Sequence, residues 1–181
     1  DRLKAMGQTA CAITDHGVMY GCVAFFDAAK AAGIKPIIGC EVYVATRTRF
    51  DKVNRIDGNN HLILLCKNET GYDRARQTAL WYRDLFGAEN YYIELQDHGL
   101  EEDQAVLPQL IRLARETGIP MVATNDAHYI TKEDAKMQSI LLCIQTGKTI
   151  NDVDRMEFQT DEFYLKSTDE MYDLFSMVPE A

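Results

Sequence analysis

The sequence predicts an α/β fold in which parallel strands are covered by helices. Three observations carry that expectation. Short apolar runs rich in β-branched residues alternate with stretches whose apolar residues recur at helical spacing, with only short turns between them. Glycines stand where several helical stretches stop, at Gly33, Gly87 and Gly118. The unusual polar residues follow the apolar runs, as they do where a site is built at the carboxyl ends of parallel strands.

Taken in order, the chain opens with part of a polar helix before Gln8, and Thr9 to Thr14 reads as a buried strand followed by Asp15-His16-Gly17. Val18 to Ala32 has Cys22, Phe25, Phe26 and Ala29 at helical spacing and ends at Gly33. Ile34 to Val44 is a second strand with one carboxylate, Glu41, inside it. Thr46 to Asn60 is polar, with Arg47, Arg49, Lys52 and Arg55, and reads as a solvated loop, with phosphate contact as the alternative. His61 introduces a third strand, Leu62 to Cys66. Asp73 to Phe86 is a helix with Ala75, Ala79, Tyr82 and Phe86 on one side, and Tyr91 to Leu95 is the fourth strand, left by Gln96-Asp97-His98-Gly99. Gln104 to Thr117 is a helix with Leu107, Leu110, Ile111 and Ala114 on one face, and Pro108 must lie in its first turn or kink it. Ile119 to Ala123 is the fifth strand, and Asn125-Asp126-Ala127-His128 leaves its end. Thr131 to Asp134 has the form of a capping box for a helix reaching Ile144. Phe163 to Leu165 is a short strand, and Ser167 to Glu170 repeats the capping signal.

At 181 residues and 46% apolar content, the chain suits one domain, or one and the start of another. There is no run of about 18 apolar residues and no charged-then-apolar leader, so a cytoplasmic protein without a membrane span or signal peptide is expected. The five cysteines are scattered without C-x-x-C spacing and read as reduced, mostly buried thiols. Cys40 beside Glu41 reads as a packed thiol rather than a nucleophile. A net charge of −9 excludes a domain that grips nucleic acid mainly by its own charge, though not a local site where metal ions supply the positive charge. No G-x-S-x-G, P-loop or G-x-G-x-x-G is present.

The candidates for chemistry are Asp15 and His16 after strand one, Glu41 in strand two, His61 at strand three, His98 after strand four, and Asp126 with His128 after strand five. If strand five continues, residues two apart point the same way and Asp126 and His128 project together. Singly, each has a plain alternative: Asp126 as a turn residue, His61 and His98 as strand-end or turn histidines, Glu41 as a strand-end group reaching solvent or an arginine. Together they form a mixed nitrogen and oxygen set that suits Zn, Mn or Fe better than Ca or Mg. More than one such ion suits phosphoester hydrolysis, one acidifying water and another offsetting charge on the phosphoryl group.

Thr14-Asp15-His16-Gly17, the stretch Gly33-Ile34-Lys35-Pro36-Ile37-Ile38-Gly39-Cys40-Glu41, His61-Leu62-Ile63-Leu64-Leu65 and Ala123-Thr124-Asn125-Asp126-Ala127-His128-Tyr129 together resemble the polymerase and histidinol phosphatase (PHP) domain. The resemblance is to the version that opens the bacterial DNA polymerase III alpha-subunit family. Leu141-Leu142-Cys143-Ile144-Gln145-Thr146-Gly147-Lys148 and Thr160-Asp161-Glu162-Phe163-Tyr164-Leu165-Lys166-Ser167 resemble the segments leading from that domain toward the polymerase proper.

The resemblance implies a distorted seven-stranded TIM-like barrel, (β/α)7 of PHP type, with residues 1–150 as the PHP domain and 151–181 as a connecting segment. It implies up to three divalent transition metal ions (Zn, Mn or Fe) on His16, Glu41, His61, Asp126 and His128. Asp15 is then expected to orient its turn, while His98 and Asn125 have no assigned ligand role. Two departures from the family pattern lead to the expectation of an incomplete barrel and metal set in this sequence. It starts beyond the family's opening strand with H-x-H, and Tyr72 runs straight into Asp73 where the family carries several tens of residues, through either a true deletion or residues outside this sequence. The implied parent is a DNA-directed DNA polymerase of DNA replication, whose polymerising acidic triad is expected beyond Ala181. The implied activity of this part is metal-dependent phosphoesterase or 3′–5′ exonuclease proofreading. The alternative is an inactive scaffold that stabilises the polymerase and docks the proofreading exonuclease subunit. DNA, other polymerase III domains and that exonuclease are the implied partners.

Overall fold

The computed structural model describes residues 1–45, 59–60 and 69–181, which form two units, Asp1–Leu65 and Cys66–Ala181. His61, the expected strand Leu62 to Cys66 and most of the expected loop from Thr46 lie outside the described residues.

In the first unit a short helix α1 (Arg2–Ala5) leads into β1 (Ala10–Ile13), α2 (Cys22–Ala32) and β2 (Lys35–Ile38). β1 and β2 are parallel, with Ala10 opposite Lys35 and Ile13 opposite Ile38. This is the strand–helix–strand unit expected from the sequence. α2 stops at Gly33, whose φ of 75° is a left-handed cap that a side chain disfavours. Its start is later than expected, at Cys22 instead of Val18, because the Asp15 carboxylate accepts the Gly21 N–H at 2.9 Å and turns the preceding residues into a loop. The run Ile34 to Val44 does not stay one strand. At Gly39 the backbone passes close over β1, where a Cβ would sit 3.0 Å from the Thr14 methyl. Pairing then resumes at a parallel bridge between His16 and Glu41. Val44–Ala45 (β3) pairs antiparallel with Asn59–Asn60 (β4).

The second unit holds α3 (Glu69–Phe86), β5 (Ile93–Leu95), α4 (Glu101–Thr117), β6 (Met121–Ala123), α5 (Ala135–Thr146) and α6 (Thr168–Leu174). β5 and β6 are parallel, Ile93 opposite Met121 and Leu95 opposite Ala123. Its core joins Tyr72 and Ala79 of α3, Ile93 and Leu95 of β5, Leu107, Leu113 and Ala114 of α4, and Ile119, with Phe175 and Val178 closing it from the end of the chain. Residues past 150 therefore contribute apolar side chains to this core. α3 begins at Glu69, ahead of the expected Asp73, and runs through Gly71. The reason is tertiary: the Tyr72 ring is buried under the Arg112 guanidinium, 4.2 Å away, and its hydroxyl donates to Glu116 at 2.9 Å. Pro108 lies inside α4, past its first turn, on an exposed position, so the only bond forfeited is the one to Gln104's carbonyl. The Thr131 box caps a 3-10 turn, Lys132–Asp134, that feeds α5, with the Asp134 carboxylate accepting from the Thr131 N–H at 2.9 Å. The Ser167 box caps α6 reciprocally with Glu170. The expected strand Phe163 to Leu165 is reduced to one parallel bridge, Tyr129 with Tyr164.

Helices alternating with parallel strand pairs are thus observed, in two-stranded sheets among the described residues. Cys143 is buried, whereas Cys11, Cys22 and Cys40 are partly exposed thiols, a departure from the expected burial. Of these, Cys11 lies in β1, Cys22 opens α2 and Cys40 follows β2. No helix of the described residues is long and apolar enough to cross a membrane.

Leu95 is fully buried between α3, α4 and β6. Leu95→Ala should lower stability by about 3 to 5 kcal/mol, the cost of lost transfer energy plus a cavity. Urea unfolding checks it, and a loss under about 1 kcal/mol would contradict this placement of the core.

Candidate functional site

The polar candidates of the first unit are placed by strand register. The offset that pairs Ile13 with Ile38 also sets His16 opposite Glu41 beyond the strand ends. Backbone bonds fix both flanks: the Glu41 N–H donates to Asp15's carbonyl at 3.1 Å, and the Gly17 N–H to Glu41's carbonyl at 2.8 Å. His16 Nδ1 then lies 2.9 Å from Glu41 Oε2. An ionised carboxylate only accepts, so the proton of this contact sits on Nδ1. Glu41 is not inside an apolar strand, as the sequence suggests. It stands past β2 with its side chain 31% exposed, though its Oε1 is itself buried. Asp15 holds the Gly21 amide and orients the turn.

In the second unit the parallel pair β5–β6 brings the turns after both strands to one end. After β5, Asp97 accepts the Gly99 N–H at 2.9 Å and the Gln104 side-chain amide at 2.9 Å, while Asp103 accepts the His98 N–H at 2.8 Å. Gly99 has φ of 74°, the turn conformation that glycine permits. His98 is 3% exposed and its ring stacks on Phe163, centroids 4.2 Å apart and ring planes nearly parallel. Burial lowers its pKa from the ordinary 6.5, with Asp126 opposing the shift and Lys166 adding to it.

After β6, Asp126 and His128 do meet, with Nε2 3.1 Å from Oδ2, though not as an extension of the strand, which ends at Ala123. Residues 160–165 hold them. The His128 N–H donates to Phe163's carbonyl at 2.8 Å, and the Asn125 side chain donates to Tyr164's carbonyl at 2.9 Å. The His128 ring lies against Phe158 at 4.7 Å and meets the Phe163 ring edge-on at 5.8 Å. Sequence reasoning missed Phe158, Phe163 and Asp103. Their only signal was an aromatic pair in a segment read as a connector and an acid in a helix's first turn.

Each unit therefore presents one histidine–carboxylate pair. Two ligands on one ion, each about 2.1 Å from it, lie about 3 Å apart or slightly more. The separations of 2.9 and 3.1 Å are hydrogen bonds in the metal-free pairs and equal that spacing, so an ion entering between the two groups would displace the shared proton; the imidazole and carboxylate donors suit Zn, Mn or Fe. Among the described residues no group of three or more such side chains could by itself hold an ion.

The first seventy-five residues, 1–75, match the family model described as PHP domain. That match takes in 75 of the chain's 181 residues. Over nearly its whole length the chain is also similar to DNA polymerase III subunit alpha of several bacteria. It is 41% identical to that of Treponema pallidum over 98% of this chain and 20% of the relative. It is 34% identical to that of Borreliella burgdorferi over 99% of this chain and 20% of the relative. For Deinococcus radiodurans the figures are 38%, 91% and 17%. The chain thus spans about a fifth of the length of these relatives. The Treponema alignment runs to 232 residues on a chain of 181, so the relative carries several tens of residues with no counterpart here.

His98 also gives the unit a pH dependence. Its folded pKa lies below the unfolded value, so folding favours the neutral ring. The stabilisation is present above pH 6.5 and is lost as pH falls through the lowered folded value. Chemical denaturation between pH 7.5 and 5 should show stability falling toward acid with a slope of up to about 1.4 kcal/mol per pH unit from this residue. His98→Phe should remove that share of the slope, and an unchanged slope would assign the acid sensitivity elsewhere.

Proposed function

We propose that the chain is the PHP portion of a DNA polymerase III alpha subunit, a cytoplasmic replication protein, and that it is a piece of the TIM-like (β/α)7 barrel of that family. The observation that carries this reading is the pair of histidine–carboxylate contacts at the carboxyl ends of parallel strands, within sequence similar to that subunit. His16, Glu41, Asp126 and His128, with His61, would hold divalent transition metal ions. Such ions, when bound, supply Lewis acidity that acidifies water and offsets charge on a phosphoester.

This chain's own residues do the positioning. Glu41 and Asp126 hold the facing nitrogen of their histidines, protonated in the absence of metal, at the distance of two ligands on one ion, which would displace that proton. Asp15 and Asn125 hold the turns that carry the pairs. The substrate class supported is a DNA 3′ end, cleaved as in 3′–5′ proofreading, with DNA, the other polymerase III domains and a proofreading exonuclease subunit as partners. Polymerisation is assigned to parts of the relatives outside this similarity.

A second reading has its own support. The relatives carry several tens of residues that this chain lacks, which favours an inactive scaffold that stabilises the polymerase and docks the exonuclease subunit.

The readings separate in one set of measurements. The metal reading expects zinc or manganese bound in stoichiometric amount by elemental analysis, and metal-dependent nucleotide release from a DNA 3′ end that falls at least about 100-fold in His128→Ala. The scaffold reading expects a metal-free, inert chain whose binding to the exonuclease subunit survives the same substitution.

A further inference from the structure

Residues 158–165 were expected to connect one domain to the next, yet they fasten both turns that leave the β5–β6 pair. Toward the first turn, the Thr160 hydroxyl donates to His98's carbonyl at 2.7 Å, and the Phe163 ring stacks on the His98 ring. Toward the second turn the fastening is denser. Phe163's carbonyl accepts the His128 N–H at 2.8 Å and the Tyr129 N–H at 3.3 Å, the Leu165 N–H donates to Tyr129's carbonyl at 3.0 Å, and the Phe163 N–H donates to the Tyr129 hydroxyl oxygen at 3.3 Å. The Asn125 amide adds a bond to Tyr164's carbonyl. These bonds fix the backbone on both sides of Asp126 and His128.

A fixed backbone still leaves the His128 ring two torsions. What restricts them is aromatic. Phe158 lies 4.7 Å from the imidazole, the Phe163 edge closes a second side at 5.8 Å, and the two phenylalanine rings pack on each other at 4.5 Å. The Asp126 carboxylate is half exposed, so its attraction for the ring is screened and too weak to hold it alone. A flat apolar wall restrains a ring's plane without competing for its nitrogens, because phenylalanine offers no donor or acceptor.

We infer that residues 158–165 form a strap whose rings, Phe158 and Phe163, are positioning residues for His128: they hold Nε2 toward Asp126 and so preorganise the pair for a divalent cation. The cation rests on the metal reading above; the ring restraint does not. The strap acts through His128 and touches neither ion nor substrate. Residues that orient a metal-binding histidine are commonly worth 10- to 100-fold in affinity, which sets the scale expected here.

The test uses the whole chain and cobalt(II) as the probe, followed by its visible absorption and by calorimetry, with Phe158→Leu as the main variant because Phe158 is only partly buried. Phe158→Leu should bind cobalt at least about tenfold more weakly than the parent, with an unchanged melting temperature, and Phe158→Tyr should restore binding. Phe163→Leu should do the same with some loss of stability, since that side chain is buried. Cobalt binding in both leucine variants equal to the parent's would overturn the strap while leaving the metal reading standing. Failure of the parent itself to bind would count against the metal reading, and the metal-free protein then decides the strap. Nitrogen-15 spectra should show the His128 ring as one tautomer, protonated at Nε2, in the parent and Phe158→Tyr, and as a mixture in Phe158→Leu. The same tautomer signature in all three would overturn the inference.

Discussion

Parallel pairing in a constant register is the constraint on which the arrangement depends. In β1–β2 and in β5–β6, both strands run the same way, so their carboxyl ends emerge together. Residues at equal distances past those ends must then face one another, which is how His16 meets Glu41 across a sequence separation that no local rule relates. A slip of one residue would turn Glu41 to the other side of the sheet and dissolve the pair. The helix between the strands matters because a parallel connection needs a crossover, and α2, stopped by the left-handed Gly33, supplies one of the right length.

The two histidine–carboxylate contacts do not sustain themselves. Both are substantially exposed, and an exposed ion pair contributes about 0 to 1 kcal/mol at most. The geometry must come from stronger and less screened interactions around them. In the first unit these are backbone bonds on either side of the pair, through Asp15, Gly17 and Glu41. In the second they are backbone bonds to Phe163 together with the packed rings of Phe158, Phe163 and His98. The same chemistry is thus presented on two different supports.

Much of this was legible in the sequence because it follows from local chemistry. Glycine after a helical stretch marks α2 and α4, and the Ser167 and Thr131 boxes declare their own helix starts. The alternation of runs gives the parallel pairs. The misreadings are tertiary in origin. Apolarity continues through Gly39 into Val44, and nothing in composition says that the backbone there crosses close over Thr14. Gly71 looks like the end of a segment, until Tyr72 is buried under Arg112 and carries the helix through it. Asp126 and His128 were paired for a simple reason, alternation along a strand, whereas the chain has already left the strand at Ala123 and is held by a segment 35 residues further on. The strap itself could not be read, because a stacking partner is a matter of distance in space and Phe158 and Phe163 carry no pattern that announces one.

The contrast between the two supports bears on how such a site tolerates change in sequence. A pair fixed by backbone register survives most side-chain substitutions around it, since the bonds that hold His16 and Glu41 belong to peptide groups. A pair whose ring is restrained by aromatic packing depends on the side chains that do the packing, here Phe158 and Phe163. The Asp126–His128 pair can therefore remain intact in sequence while losing its geometry through substitutions in residues 158–165, which belong to no strand or helix. For a family segment in which both an active metal centre and an inactive scaffold are physically open, the strap is where the difference between them can arise without any ligand being replaced. An intact set of ligand residues is then necessary for a metal centre, and the aromatic wall behind His128 is the second condition.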